Sequence, residues 1–213
     1  MPFYKSISLN SDSTLYLWKI TEDVDLLRNV VILKEESLIR LQQMKSISHQ
    51  KGFLAVRMLL QHLGYSDHDL YYDDFGKPHL NAKFEKKNIN ISISHSFEYS
   101  AIAISSKNIG IDIELLKPKT LTIASRFMDV SHLKNLSELE QLQKATVIWG
   151  IKESIFKIKS EKGISFPDHI FEDSFDLKDK KATAQLHFEN KIESFSVVFA
   201  IFDNYVYVCA WQQ

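Results

Sequence analysis

Polar and apolar residues alternate through MPFYKSISLNSDSTLYLWKI, most regularly from Ser13 to Ile20, and this predicts strand structure there. The period then lengthens to that of a helix over about Val24 to Met44, and again from Gln50 to Leu63, where Gly64 supplies a stop. The segment YYDDFGKPHL is punctuated by Gly76 and Pro78 and reads as a turn-bearing loop. NINISISHS and YSAIAISS return to a period of two around a turn, and IGIDIELL continues as a third strand. Beyond Pro118 the pattern is helical through Ala124 to Phe127 and from Ser137 to about Lys159, then mostly that of strands from Ser165 onward. Strands and helices recurring in two successive groups predict an α+β, or mixed α/β, fold.

A short internal echo suggests that the two groups are related. SISHSFEYSAIAISS and FSVVFAIFDNYVYVCAW each read as an apolar strand, a polar turn with an aromatic, and a strand of small residues. GKPHL has a looser counterpart in KGISFPDHI. Chance similarity between hairpins accounts for stretches this short equally well. Duplication predicts two pseudo-symmetric halves, residues 1–106 and 107–213, with a site at their junction.

Composition narrows the function classes. At 213 residues and 45% hydrophobic, the chain can bury a sizeable core. Its 26 Lys and Arg against 27 Asp and Glu leave a net charge of -1, so no nucleic-acid or membrane-surface partner is expected from overall charge. No run approaches the ~18 consecutive apolar residues of a membrane span, and the N-terminus lacks the apolar core of a signal peptide. The expected location is the cytoplasm. Cys209, the only cysteine, lies in an apolar run and reads as a small core residue.

Two stretches carry chemistry. In GIDIE, Asp112 and Glu114 share a parity opposite to that of Ile109, Ile111, Ile113 and Leu115, so two carboxylates stand roughly 7 Å apart on one face of a strand. A solvated acidic face explains this, and so does a cation between them. In QKATVIWGIKESIFKIK, Val147, Ile148, Trp149, Ile151, Ile155, Phe156 and Ile158 cover most of a helix, which should therefore be buried. That helix nonetheless carries Lys152, Glu153 and Lys157, with Glu153 and Lys157 one turn apart, either as a surface ion pair or as site residues. His95, in SISHS, shares parity with Ile89, Ile91 and Ile93 and reads by itself as a core histidine.

The order GKP, SHS, IGIDIE, WGIKESIFK resembles the 4′-phosphopantetheinyl transferase superfamily, specifically its Sfp-type members. The family patterns (V/I)G(V/I)D(I/V)E and W-x-x-K-E-(S/A)-x-x-K are both present, and the resemblance runs from about Ala55 to Gly163. It implies transfer of 4′-phosphopantetheine from coenzyme A to a serine of an apo acyl or peptidyl carrier protein, in a monomeric two-half enzyme. It also implies magnesium held by Asp112, Glu114 and Glu153, with Glu153 as the base, Lys157 neutralising the pyrophosphate and His95 on a coenzyme phosphate. Lys77 of GKP is expected at the 3′-phosphate end, and Lys152 at the coenzyme. Arg57 is expected either at the coenzyme or as a structural residue. The family's arginine-rich segment reads MKSISHQKG here, leaving Lys45, His49 and Lys51 as substitutes. Phe127 or Met128, if exposed, would dock the carrier; if buried, they are core. Another magnesium-dependent phosphotransferase or phosphodiesterase, and a non-catalytic carrier-binding module, are the competing functions; no P-loop is present to support the former.

Overall fold

The computed structural model describes residues 5–81 and 89–213, so the expected alternation at residues 1–4 and the start of NINISISHS at Asn88 lie outside it. The chain forms two compact units, Met1–Lys107 and Asn108–Gln213.

The first unit opens with strands β1 (Lys5–Asn10) and β2 (Ser13–Lys19), followed by helices α1 (Val24–Val30), α2 (Glu35–Gln43) and α3 (Ile47–His62). The single helix expected over 24–44 is therefore two. Val30, Val31 and Ile32 form a β-branched run that favours extended backbone, and Val31 is extended. Tertiary contacts fix the break: the Lys34 backbone N–H donates to Asp67 at 3.0 Å and its ammonium to the Leu70 carbonyl at 2.6 Å. The next helix starts earlier than its hydrophobic pattern, at Ile47, because the Ser46 side chain caps it by accepting from the His49 N–H.

The expected loop over 71–80 is a small hairpin, β3 (Leu70–Tyr72) and β4 (Pro78–Leu80). Asp73 organises its turn, one carboxylate oxygen accepting from the N–H groups of Phe75 and Lys77 at 3.0 and 2.9 Å. Gly76 provides the left-handed residue, φ +82°. Strands β5 (Asn90–Ser96) and β6 (Tyr99–Ser105) complete an antiparallel sheet of order β1-β2-β6-β5. Its core joins Trp18, Leu27, Leu54, Leu59, Leu60, Ile91 and Ile102.

The second unit comprises β7 (Ile109–Leu115), α4 (Lys119–Thr122), α5 (Glu138–Lys159), α6 (Phe166–His169), β8 (Ile170–Glu172), β9 (Lys181–Phe188), β10 (Lys191–Phe202) and β11 (Tyr205–Gln212). The sheet order is β7-β11-β10-β9-β8. Ser137 and Glu140 start α5 with a reciprocal capping box, and the helix packs on β7 and β11. Val147, Ile151 and Ile155 are fully buried against Phe195, Val197, Val206 and Val208, at about 1.5–3 kcal/mol for each such side chain.

Both units contain the same path: a strand, a long helix, then a hairpin whose last strand inserts beside the first. In the first unit this gives β2-β6-β5 around α3, and in the second β7-β11-β10 around α5. The two hairpins, β5–β6 and β10–β11, are the stretches whose sequences echo each other. Each turns through two residues whose first, Phe97 or Asp203, is left-handed at φ 48° or 45°.

Phe127 and Met128 are core residues, 2% and 6% exposed, packed with Ala124, Leu133, Ala145 and Ile148, which rules out the exposed docking role considered for them. Beside them, a chain of charge ties three elements together. The buried Lys152 ammonium meets Glu172 at 3.0 Å and donates to the carbonyls of Phe166 and Ile170, while the other Glu172 oxygen meets His132 at 3.1 Å. Burial pulls the Lys152 pKa below its usual range and Glu172 opposes that shift. Glu172→Gln is expected to cost about 2 kcal/mol by leaving this cation undercompensated, measurable as a lower urea midpoint with unchanged slope.

Candidate active site

The second unit brings the acidic strand and the charged helix into direct contact because glycine lets their backbones approach. A Cβ built at Gly110 would lie 1.9 Å from the Ser154 carbonyl oxygen, and one at Gly150 would lie 2.5 Å from a Val208 methyl. Ser154 secures the crossing by donating its hydroxyl to the Val208 carbonyl at 3.0 Å. Helix α5 thus covers the parity of β7 that carries Gly110, Asp112 and Glu114. The strand is buried on both faces from Ile109 to Ile113, and the face that sequence patterning allows to be solvated holds Asp112 at 5% exposure.

Charge is concentrated there. Lys157 donates its ammonium to Asp112 at 2.8 Å and to the Ile111 carbonyl at 2.9 Å. Glu153 has its pKa pushed up to about 7, first by burial and then by the negative charges of Asp112 and Glu114, with Lys157 acting in the opposite direction. Asp112, Glu114, Glu153 and Lys157 therefore form one electrostatic group supplied by two elements. Cys209, opposite Ile111 in the β7–β11 register, is fully buried, and burial raises its thiol pKa far above the ordinary range, as fits a core residue.

Among the described residues, no group of three or more His, Cys, Asp or Glu side chains stands in metal-ligating arrangement. The donor chemistry nonetheless fits a hard divalent cation: three carboxylates share the site, and their mutual repulsion is what a cation would relieve. In this arrangement the Lys157 ammonium partly serves that purpose.

The remaining expected residues distribute as follows. Lys152 is turned into the interior of the second unit toward Glu172, which gives it a structural place. Arg57 takes the structural alternative considered for it: its Nε donates to Asp67 at 2.9 Å, its guanidinium lies 3.5 Å from the Phe53 ring centre, and it is 3% exposed. His95 is exposed at the end of β5 although its parity suggests a core position. It lies over α3 at Gly52, and its ring centre is 6.1 Å from that of His49. Lys77 sits in the β3–β4 turn, its backbone held by Asp73, and Lys51 is half-buried on α3. Gly52, Gly110, Gly150 and Ser154 position the functional side chains without appearing among the sequence candidates. Glycines inside a strand and inside apolar helices are the signal that reveals them, since such positions mark close backbone approach.

A profile of the 4′-phosphopantetheinyl transferase superfamily matches residues 108–210, the span that contains β7 and α5. A Bacillus subtilis protein named 4′-phosphopantetheinyl transferase is 37% identical over 109 residues, 50% of this chain and 46% of that protein. The 4′-phosphopantetheinyl transferase ffp of Bacillus subtilis is 30% identical over 154 residues, 68% of this chain and 67% of its own length. Sfp of Bacillus subtilis strain 168 is 34% identical over 122 residues, 54% and 53% of the two chains. The matched part thus spans about half the length of the first and third of these relatives.

Proposed function

The chain belongs to the 4′-phosphopantetheinyl transferase superfamily, and on that premise we propose that it is an Sfp-type enzyme that moves 4′-phosphopantetheine from coenzyme A to a serine of an apo acyl or peptidyl carrier protein. The observation that carries the reading is the Asp112–Glu114–Glu153 group with Lys157 against it, at the two motifs on which the resemblance rests.

The serine oxygen attacks the β-phosphorus of coenzyme A. The bond from that phosphorus to the bridging oxygen breaks, and adenosine 3′,5′-bisphosphate leaves with the oxygen. A serine hydroxyl needs a base at neutral pH, a role we assign to Glu153, the carboxylate that the charged helix sets beside Asp112 and Glu114. Lys157 donates to the pyrophosphate as negative charge gathers on the leaving side. Asp112, Glu114 and Glu153 would hold magnesium, which when bound would supply positive charge to the pyrophosphate. His95 and Lys77 bind coenzyme phosphates. We place the enzyme in the cytoplasm as a monomer. No helix among the described residues is long and apolar enough to cross a membrane.

The test is mass spectrometry of apo acyl and apo peptidyl carrier proteins after incubation with this protein, coenzyme A and magnesium. The expected product is a carrier heavier by one phosphopantetheine. Coenzyme A cleavage without carrier modification would favour a phosphodiesterase, and carrier binding without any chemistry would favour a binding module.

A further inference from the structure

Shortly after α5 the chain closes a single turn, Ser165 to His169, with two reciprocal hydrogen bonds. The His169 N–H donates to the Ser165 carbonyl at 2.9 Å, and the Ser165 N–H donates to Nδ1 of His169 at 2.8 Å. A backbone N–H can only donate, so Nδ1 is the bare nitrogen of the ring and the ring proton sits on Nε2. A second proton has only Nδ1 to occupy, where it would set N–H against N–H. Closure of the turn therefore requires a neutral His169.

The turn holds an aromatic wall on the helix of the site. Phe166, its second residue, stands edge to face with Trp149 and Phe156, ring centres 5.5 and 5.9 Å away. Those partners are seven residues apart on α5, so Phe166 spans about two turns of the helix, across the stretch that contains Lys152 and Glu153. Its carbonyl also accepts from the Lys152 ammonium at 3.3 Å. The half-buried His169 ring stands edge to face with Phe188 of β9, centres 5.1 Å apart.

The charged groups of the surrounding elements are turned to other partners. On the last turns of α5, Lys152 faces Glu172, Lys157 faces Asp112, and Lys159 faces Glu161 and Glu193, while Glu153 senses Asp112 and Glu114. Glu172 is the one charged residue of β8, His187 of β9 bonds Gln185, and Lys181 lies exposed at the other end of β9 from Phe188. Asp168, next to His169, takes the Ser165 hydroxyl at 2.6 Å. No carboxylate among the described residues is paired with His169, so its protonation costs the turn an acceptor without supplying an ion pair.

We propose that the Ser165–His169 turn is an acid-released latch: a proton taken from solvent by His169 expels the Ser165 N–H from Nδ1, opens the turn and lifts Phe166 from Trp149 and Phe156. The device lies wholly within the second unit. Histidine changes charge between about pH 5 and pH 8, which sets the range in which the latch works.

An NMR titration of the full chain from about pH 8 to about pH 5 tests it, following the His169 ring nitrogens, the Ser165 amide proton and the cross-peaks between Phe166 and Trp149. The three should move together with one midpoint, and the cross-peaks should lose about half or more of their intensity as His169 becomes charged. His169→Asn places near Nδ1 a carbonyl oxygen that accepts but does not titrate, so in that variant the Ser165 amide and the cross-peaks should hold across the range. The wild-type titration decides by itself should the variant not fold. Protonation of His169 with the Ser165 amide and the Phe166 cross-peaks unmoved would overturn the latch, and so would a His169 that stays neutral throughout. An equal response in His169→Asn, or a change spread over the whole second unit, would overturn it as well.

Discussion

Glu153→Gln is expected to slow single-turnover transfer by about a hundredfold while coenzyme A binding with magnesium largely persists. The amide keeps the size and one oxygen of the carboxylate but cannot accept the serine proton. If Glu153 acts chiefly as a ligand, coenzyme A affinity falls and excess magnesium restores much of the rate. Transfer within a few-fold of wild type without added metal would exclude both roles. The same variant has a stability effect of opposite sign. Glu153 has a folded pKa of about 7 against an ordinary 4.5, so its ionised form is disfavoured in the metal-free fold. Stability of the wild type therefore falls as pH rises from about 4.5 to about 7 and levels off above that. Without metal, Glu153→Gln should match wild type near the low end and exceed it above pH 7 by up to about 3 kcal/mol. Chemical denaturation at the two pH extremes reads this directly.

Gly110→Ala should be the most damaging single methyl in the second unit. The added carbon meets the Ser154 backbone carbonyl at 1.9 Å, and a backbone atom in the middle of a buried helix cannot move aside alone. Relief requires lifting α5 from β7, which breaks the Ser154 to Val208 hydrogen bond and separates Glu153 and Lys157 from Asp112. A loss of roughly 4 kcal/mol, or failure to accumulate folded protein, is expected. Near-native stability by urea titration would show that the crossing is looser than drawn. Any folded fraction should have a Glu153 that titrates closer to an ordinary carboxylate, because the burial that chiefly raises its pKa, and the negative charges of Asp112 and Glu114, would be reduced.

These effects indicate what could be read from the chain and what could not. The strand IGIDIE and the helix through WGIKESIFK were legible because each keeps its own period over many residues, and the carboxylates lie within those periods. Their contact was not legible, since nothing in a period of two says which face of β7 receives a helix; that was decided by Gly110 and Gly150. His95 misled for a related reason. Its parity matches that of Ile91 and Ile93, but it lies near the end of β5, where the notch at Gly52 holds it at the surface. Arg57 and Lys152 stood in motifs suggestive of coenzyme contact, yet their charges are matched by Asp67 and Glu172, partners 10 and 20 residues away that no local pattern pairs with them. The break between α1 and α2 likewise depended on Asp67 reaching the Lys34 backbone. Ser46, by contrast, was readable as a cap and simply lay outside the apolar repeat.

The tie from Lys152 to Glu172 also bears on how the protein behaves in a crowded solution. Glu172 ends β8, a strand of only three residues at the margin of the five-stranded sheet, and among the described strands β8 alone pairs with the outer side of β9. If β8 peeled away, the middle of β9, Ala184 to Leu186, would lose its partner and lengthen the edge of unpaired N–H and C=O groups offered to any neighbouring chain. Anchoring the last residue of β8 to a buried ammonium keeps covered the stretch from Ala184 to Leu186 with which β8 pairs. The ion pair therefore acts as a guard against strand-to-strand self-association, and its loss would be felt as turbidity at high protein concentration before it was felt as a slower reaction.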